Sequence, residues 1–508
     1  MKIIRVLLPL IMLLTALPLW AEPARPLDQM LPEFEKAVTT LHRKSGAPGL
    51  AVGIVYKGEV VYLKGFGVRK SGTELKVDPD TVFQVASCSK PITSTAIASL
   101  VGKGVIEFDQ PVSGRIPELQ LADPWTTNQV TFADLLSHRS GLPAFAGDQL
   151  ENLGLERSDI LSRLRYLKPG YPFRAGYGYT NFGFTSAGEA AARARHTDFP
   201  SLLEQELFKP LGMNSTSARF ADYQSAPNRA FTHQLENGKA VATVRQPDAQ
   251  APAGGVSSSV RDLSKWMLLH LQKGSWQGQQ LIPAAALGQT YQIHSVASNN
   301  PANFSSKGFY GMGWGIAYNE QGHLKLSHSG AFNLGARSSV TLLPQEEWGI
   351  VVLTNAYPTA LPESLSAVFE RMYTTGQVDL AFGEFVQGKV MEALAALNPA
   401  PAPEKSSAPE QPPLALTSYA GTYRTDYHGD SRVTLSNGRL TLHLGQEQFP
   451  LLHLYRDTFV AQVPPHKFED LVNFQLQFCV DAEGKVTGFH QRGLQGAGWF
   501  ERVSRDDA

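Results

Sequence analysis

Strand-like sequence stands at both ends of a long helical stretch in this chain, and that arrangement limits what it can fold into. Near the start, residues 50–56 and 60–63 flank a Lys57-Gly58 turn and read as a hairpin over 49–66. Runs rich in β-branched and aromatic residues return at 313–318, 324–326, 338–343 and 348–353. Turn signals at 319–322 and 344–347 separate them. Between about Ser87 and Leu287 lie helical patches and loops rich in Gly, Pro and Asn. The pattern predicts one sheet made from the two ends of the domain, with a helical lobe inserted. A cleft between a sheet edge and such a lobe suits a small ligand.

Ser87 is the one serine followed by a lysine three positions later, in Ser87-Cys88-Ser89-Lys90. Residues three apart share a helix face, so a hydroxyl and an amine can come within hydrogen-bond reach. Apolar residues then recur at helical spacing at Ile92, Ala96, Ile97, Leu100 and Val101. Pro91 is tolerated only in a first helical turn. The helix is therefore predicted to begin at or just after Ser87, with the serine at its mouth. There the N-terminal end of the helix favours developing negative charge. The four residues alone also fit an ordinary helix start capped by Ser87 or Ser89.

Acyl transfer needs more than a nucleophile and a base. Tyr179-Thr180-Asn181 is the only Tyr-x-Asn, in a glycine-punctuated loop over 173–183. A phenol titrates near 10, and neighbouring ammonium groups would favour its phenolate, making Tyr179 a base near neutrality. Asn181 offers both a donor and an acceptor. His328-Ser329-Gly330 follows the predicted strand at 324–326. The other His-x-Gly, at His443, reads as part of a strand in the tail.

Ser87-x-x-Lys90, Tyr179-x-Asn181 and His328-x-Gly330, in that order, resemble the three motifs of the serine β-lactamase and penicillin-binding protein superfamily. The similar branch holds class C β-lactamases, D,D-carboxypeptidases, D-aminopeptidases and related esterases. Leu135 to Leu142, Pro210 to Met213, Gly254 to Ser258 and Tyr310 to Trp314 are similar in wording, and the resemblance covers about residues 30 to 375. It implies an α/β (α+β) fold, a β-lactamase/transpeptidase-like antiparallel sheet flanked by helices with a helical lobe. It implies that Ser87 attacks the carbonyl and that Lys90 and Tyr179 handle the proton. Asn181 would hold the substrate amide. The N–H groups of Ser87 and Ala331 would form the oxyanion hole. His328, Ser329 and Gly330 would line the strand edge, and Arg337 and Asn355 would meet a substrate carboxylate. His328 stands where class C β-lactamases have lysine, so the fixed positive charge there is lost.

The first 21 residues read as a cleaved signal peptide, with Lys2 and Arg5 before an apolar stretch. That implies a periplasmic protein with no stable membrane anchor. The formal charge of −1, without basic runs, gives no support for a nucleic-acid or polyanion partner, and no nucleic acid is expected. Cys88 and Cys479 are the only cysteines and are expected to stay unpaired. A proline-rich linker is expected over 398–414, between a hydrolase domain at 22–397 and a small all-β C-terminal barrel at 415–508. In the tail, 472–480 alternates strictly, and Tyr419 to Tyr423 resembles a lipocalin-like β-domain. The expected reaction is acyl-enzyme hydrolysis of a small β-lactam, class C β-lactamase-like, with no cofactor and no metal. D,D-carboxypeptidase, D-aminopeptidase and small-ester esterase activities are the alternatives, and a β-lactam or muropeptide sensor is the non-hydrolytic one. Sequence leaves the oligomeric state open.

Overall fold

A computed structural model describes residues 22–297, 308–397, 412–469, 471–496 and 498–503. The predicted signal segment and residues 398–411 of the predicted linker lie outside the described residues.

Strands β1 (Gly49–Tyr56) and β2 (Glu59–Gly67) form the hairpin. Strands β3 (Ser295–Val296), β4 (Phe309–Tyr310), β5 (Gly315–Tyr318), β6 (Leu324–Phe332), β7 (Ala336–Leu343) and β8 (Trp348–Thr354) complete an eight-stranded antiparallel sheet. Its order is β2-β1-β8-β7-β6-β5-β4-β3. Strands β1 and β8 pair along their lengths, with Leu50 opposite Thr354, so both ends of the domain meet inside the sheet. The strand predicted at 324–326 extends to Phe332. Gly and Ser at 327–330 have weak strand preference, but β6 pairs with β7 from Leu326–Leu342 to Phe332–Ala336. The His328 motif therefore lies within a strand.

Helices cover both faces of the sheet. On α1 (Leu27–Ser45), Leu27, Met30, Phe34, Ala37, Val38 and Leu41 form one buried stripe. With α6 (Leu361–Thr375) this stripe packs on Leu50, Val52 and Ile54 of β1. The opposite side of β1, Ala51 and Val55, faces α5 (Val260–Leu271) and the helical lobe. Each fully buried aliphatic side chain contributes about 1.5–3 kcal/mol. The lobe includes α2 (Ser89–Gly102), α3 (Asp148–Asn152) and α4 (Asn181–Ala194). Helix α7 (Leu380–Leu397) ends the first domain.

The tail is a closed antiparallel barrel in which each strand pairs with the next: β9 (Gly421–Thr425), β10 (Gly429–Ser436), β11 (Arg439–Leu444), β12 (Glu447–Tyr455), β13 (Thr458–Ala461), β14 (Phe474–Val480), β15 (Val486–Arg492) and β16 (Trp499–Arg502). Tyr423 opposite Arg502 closes it. Inside, Tyr419, Tyr423, Phe459, Phe478, Phe489 and Phe500 stack edge and face, at centroid distances such as 5.0 Å for Tyr419–Phe478 and 4.6 Å for Phe489–Phe500. Eight strands enclose a space that side chains can fill, and here aromatic rings pack it. Both cysteines are free. No described helix is long and apolar enough to cross a membrane.

Candidate active site

Ser87 sits in a single 3-10 turn, Ala86–Cys88, that runs directly into α2. The turn is held from three sides. Val85 N–H donates to the Val256 carbonyl at 3.0 Å. The Ser338 hydroxyl of β7 donates to the Val85 carbonyl at 2.7 Å. The Ser89 hydroxyl donates to the Ala86 carbonyl at 2.7 Å and accepts from Val256 N–H at 2.9 Å. Ala86 has φ 46°, a left-handed conformation that costs a residue with a Cβ energy. The surrounding bonds impose it and turn the serine outward. Gly330 of β6 abuts the same turn. A Cβ there would lie 2.3 Å from the Val85 carbonyl and 2.9 Å from the Ser87 nitrogen, so only glycine lets the strand approach.

Lys90 is completely buried. Its Nζ lies 3.3 Å from Ser87 Oγ, and it donates to Asn181 Oδ1 at 2.7 Å and to the Ala253 carbonyl at 3.0 Å. It also stands 4.5 Å from the centroid of the Tyr179 ring. Burial pulls its pKa down to about 7, against the opposing pull of Asp148. An amine so tuned is partly unprotonated near neutral pH and can serve there as a base.

The tyrosine motif corrects one expectation. Burial drives the Tyr179 hydroxyl well above its ordinary value, although its pairing with Ser87 works in the other direction. Burial thus works against a phenolate at Tyr179 near neutrality. Its ring is flanked by His138 at 4.5 Å, Phe145 at 5.8 Å and His328 at 6.5 Å. The loop before it is anchored by His138, whose Nδ1 accepts from Thr180 N–H at 3.2 Å and whose carbonyl accepts from Gly178 N–H at 2.9 Å. Arg174 and Arg139 both pair with the buried carboxylate of Asp134. The family-like wording from Leu135 to Leu142 thus has a physical task, which is to support the tyrosine loop.

Asn181 opens α4 and points both ends of its amide inward. Its Oδ1 accepts from Lys90, and its Nδ2 donates to Asp148 Oδ2 at 2.7 Å. Sequence reasoning missed Asp148. Its one signal was an acid directly after Gly147, which gives no spacing to any motif.

On the opposite wall, β5 pairs with β6 only as far as Ser327, so the β6 segment from His328 to Phe332 lies beyond that pairing. Ser329 is exposed on it and Ala331 follows Gly330 alongside the Ser87 turn. His328 is wired at both nitrogens. The Tyr310 hydroxyl pairs with Nε2 at 3.0 Å, and Nδ1 bonds the Ser329 carbonyl at 2.8 Å. A carbonyl accepts only, so Nδ1 carries the proton and Nε2 accepts from Tyr310. Burial, with Lys90 nearby, pulls the His328 pKa down to about 3. Cys88 is no rival nucleophile, since burial pushes its thiol up to about 12.

Arg337 and Asn355 do not reach this site, which corrects their expected role. Strand side chains alternate. Ser338 faces the Ser87 turn, so Arg337 projects from the other face of the sheet, where it pairs with Glu363 of α6 at 2.6 Å. Asn355 closes the strand end instead. It accepts from Gly49 N–H at 2.7 Å and donates to the carbonyls of Val68 and Arg69 at 3.3 and 3.0 Å. Among the described residues, no group of three or more His, Cys, Asp or Glu is placed to hold a metal ion.

Residues 34–369 match the Beta-lactamase family, and residues 405–502 match a domain of unknown function, DUF3471. Unguisins hydrolase ungD of Aspergillus violaceofuscus is 23% identical over 94% of this chain and 91% of its own length. The chain spans only 62–64% of the length of other curated relatives it matches. Among solved structures, the octameric penicillin-binding protein homologue from Pyrococcus abyssi aligns with a TM-score of 0.59 at 20% identity, over 92% of this chain and 99% of that one. A class C beta lactamase from Rhodobacter sphaeroides aligns with a TM-score of 0.53 at 20% identity, over 66% of this chain and 97% of that one. At such identities the structural likeness speaks for the fold. The family match spans more than half of the chain and contains all three motifs, so this chain belongs to the Beta-lactamase family, with its serine β-lactamase/transpeptidase fold.

Proposed function

We propose that this protein is an exported serine hydrolase that opens an amide or ester carbonyl through an acyl-enzyme on Ser87. One observation carries the reading: a buried lysine with its pKa near 7 stands 3.3 Å from a serine hydroxyl at a helix mouth. Neutral Lys90 accepts the Ser87 proton as Oγ adds to the substrate carbonyl. The backbone N–H groups of Ser87 and Ala331 receive the oxyanion. The proton passes by way of Tyr179 to the leaving nitrogen or oxygen, and the acyl group remains on Ser87. Water then adds to the acyl carbonyl and gives a proton to the lysine–tyrosine pair; the acyl–Oγ bond breaks, that proton returns to Ser87 Oγ, and the acid is released.

The neutral, doubly bonded His328 favours substrates that carry no carboxylate beside the scissile bond, such as small esters or internal peptide amides. A β-lactam or D-amino-acid peptide is the second reading, supported by the class C-like motif order and by Asn181 at the Lys90 amine. The Lys2 and Arg5 segment supports a periplasmic location, which fractionation and N-terminal sequencing of the expressed protein check.

Parallel turnover of p-nitrophenyl esters, nitrocefin and a D-Ala-D-Ala peptide ranks the substrates, with a fluorophosphonate adduct located by mass spectrometry. The expected result is an adduct on Ser87, lost in Ser87→Ala, and ester turnover ahead of nitrocefin. Undiminished turnover in Ser87→Ala would overturn the reading. A penicillin adduct that never hydrolyses would instead mark a sensor.

A further inference from the structure

We propose that the C-terminal barrel is a working part of the active site, with Gln495 and Glu469 as positioning residues that hold the two walls facing Ser87. The inference rests on the hydrolase reading above and gives a task to the tail.

The first wall is the segment that carries Asp148. Gln495 closes on it through every polar group of its side chain and through its backbone. Its Oε1 accepts from Gly147 N–H at 3.2 Å, its Nε2 donates to the Ala144 carbonyl at 3.1 Å, and its N–H donates to Gln149 Oε1 at 2.5 Å. These bonds bracket Asp148 on both sides. Asp148 in turn holds the Asn181 amide, whose oxygen receives Lys90. The same segment bonds the tyrosine motif, with Phe145 N–H donating to the Tyr179 carbonyl at 2.7 Å. A barrel residue therefore reaches the base lysine through three successive contacts.

The second wall is the turn after Ala331. Glu469 accepts from Asn333 N–H at 2.6 Å and from Leu334 N–H at 3.4 Å, and its carbonyl accepts from Asn333 Nδ2 at 2.7 Å. This fixes the end of β6, two residues beyond the expected oxyanion donor.

A buried ion triad ties the walls together. Arg245 pairs with Glu151 of α3 at 2.8 Å and with Glu469 of the barrel at 3.3 Å. Its guanidinium lies 5.2 Å from the Phe332 ring, and its carbonyl accepts from Gln84 at 2.8 Å, just before the nucleophile turn. The three side chains are only 8–10% exposed. Burying three charges is costly unless geometry and hydrogen bonds are good. A docking contact that served adhesion alone would sit better at an exposed rim. Barrel attachment also has contacts that bond neither wall directly, such as Arg163 Nη1 to the backbone carbonyl of Tyr427 at 3.0 Å, a residue whose hydroxyl separately donates to Gln495 Oε1 at 3.1 Å. These provide the control.

The test uses the full chain. Glu469→Ala, Gln495→Ala, their double variant and Arg163→Ala are labelled with a small fluorophosphonate well below their unfolding temperatures, with p-nitrophenyl ester kinetics alongside. Glu469→Ala and Gln495→Ala should each slow Ser87 labelling and kcat about tenfold with little change in KM, as misplacement of the walls predicts. Glu469→Gln keeps an acceptor for Asn333 N–H and should recover part of the loss, and it stands in if Glu469→Ala fails to fold. Arg163→Ala should lower the melting temperature and leave the labelling rate unchanged. Wild-type labelling rates in the folded Glu469 and Gln495 variants would overturn the inference, as would an equal slowing in Arg163→Ala. If the wild-type chain itself takes no label on Ser87, the hydrolase reading falls first, and this outcome is distinct from the others.

Discussion

The carboxamide oxygen of Asn181 lies 2.7 Å from the Lys90 nitrogen because Asp148 holds the other end of the same amide. Asp148 accepts only, so the amide can face it only with its NH2 group. The carboxylate thus sets the direction of the amide, and the amide oxygen in turn orients the amine toward Ser87.

Acylation should rise with pH through about 7. Below that value Lys90 carries the proton and cannot accept another from Ser87; above it the amine is free. The rate of Ser87 labelling against pH reads this directly. Because the Tyr179 phenol is pushed upward, no second rise belongs near 10, its ordinary value. A single ascending limb near the usual tyrosine range would show that the phenolate, and not the amine, is the base.

Asp148→Asn should slow acylation about tenfold by releasing the Asn181 amide from its fixed direction. The carboxylate raises the Lys90 pKa against burial, so its removal lets that pKa fall further. The acid limb of the pH–rate profile should move to lower pH. A slower enzyme with an unmoved limb would confine Asp148 to a structural part.

His328→Lys should change selectivity more than rate. It replaces a neutral ring by an ammonium at the edge of β6. A hydrogen bond to a charged group contributes about 1.5–3 kcal/mol, so kcat/KM for a carboxylate-bearing substrate should gain about tenfold or more over a neutral ester. An unchanged ratio in a folded variant would mean that this position does not meet the substrate.

Arg337→Ala should cost about 3–5 kcal/mol of stability, because it leaves the Glu363 carboxylate half-stranded beneath the sheet. KM for carboxylate-bearing substrates should stay the same. Denaturant unfolding and steady-state kinetics on one preparation separate the two effects. A raised KM would restore Arg337 to substrate binding.

Local chemistry was legible where one short segment carried it. Ser87, Lys90 and Pro91 determine a serine at a helix mouth with an amine one turn on, since helical spacing and a proline in the first turn leave no other register. The hairpin and the strand at 348–353 were legible for the same reason, and so was the alternation at 472–480. Tertiary structure decided what depends on parity and distance. All eight residues of β7 are buried, so no polar alternation told which face Arg337 would take. Pairing with β6 carried the strand through His328 despite its weak local preference. Asp148, Tyr310 and Glu469 acquire their parts only when segments far apart in sequence meet in a dry interior. There an amine loses water and titrates near 7, a histidine stays neutral, and a barrel carboxylate finds its arginine. Sequence determined which groups are present and which lie a turn apart; folding decided which way they face and how much water they keep, and those two quantities set their chemistry.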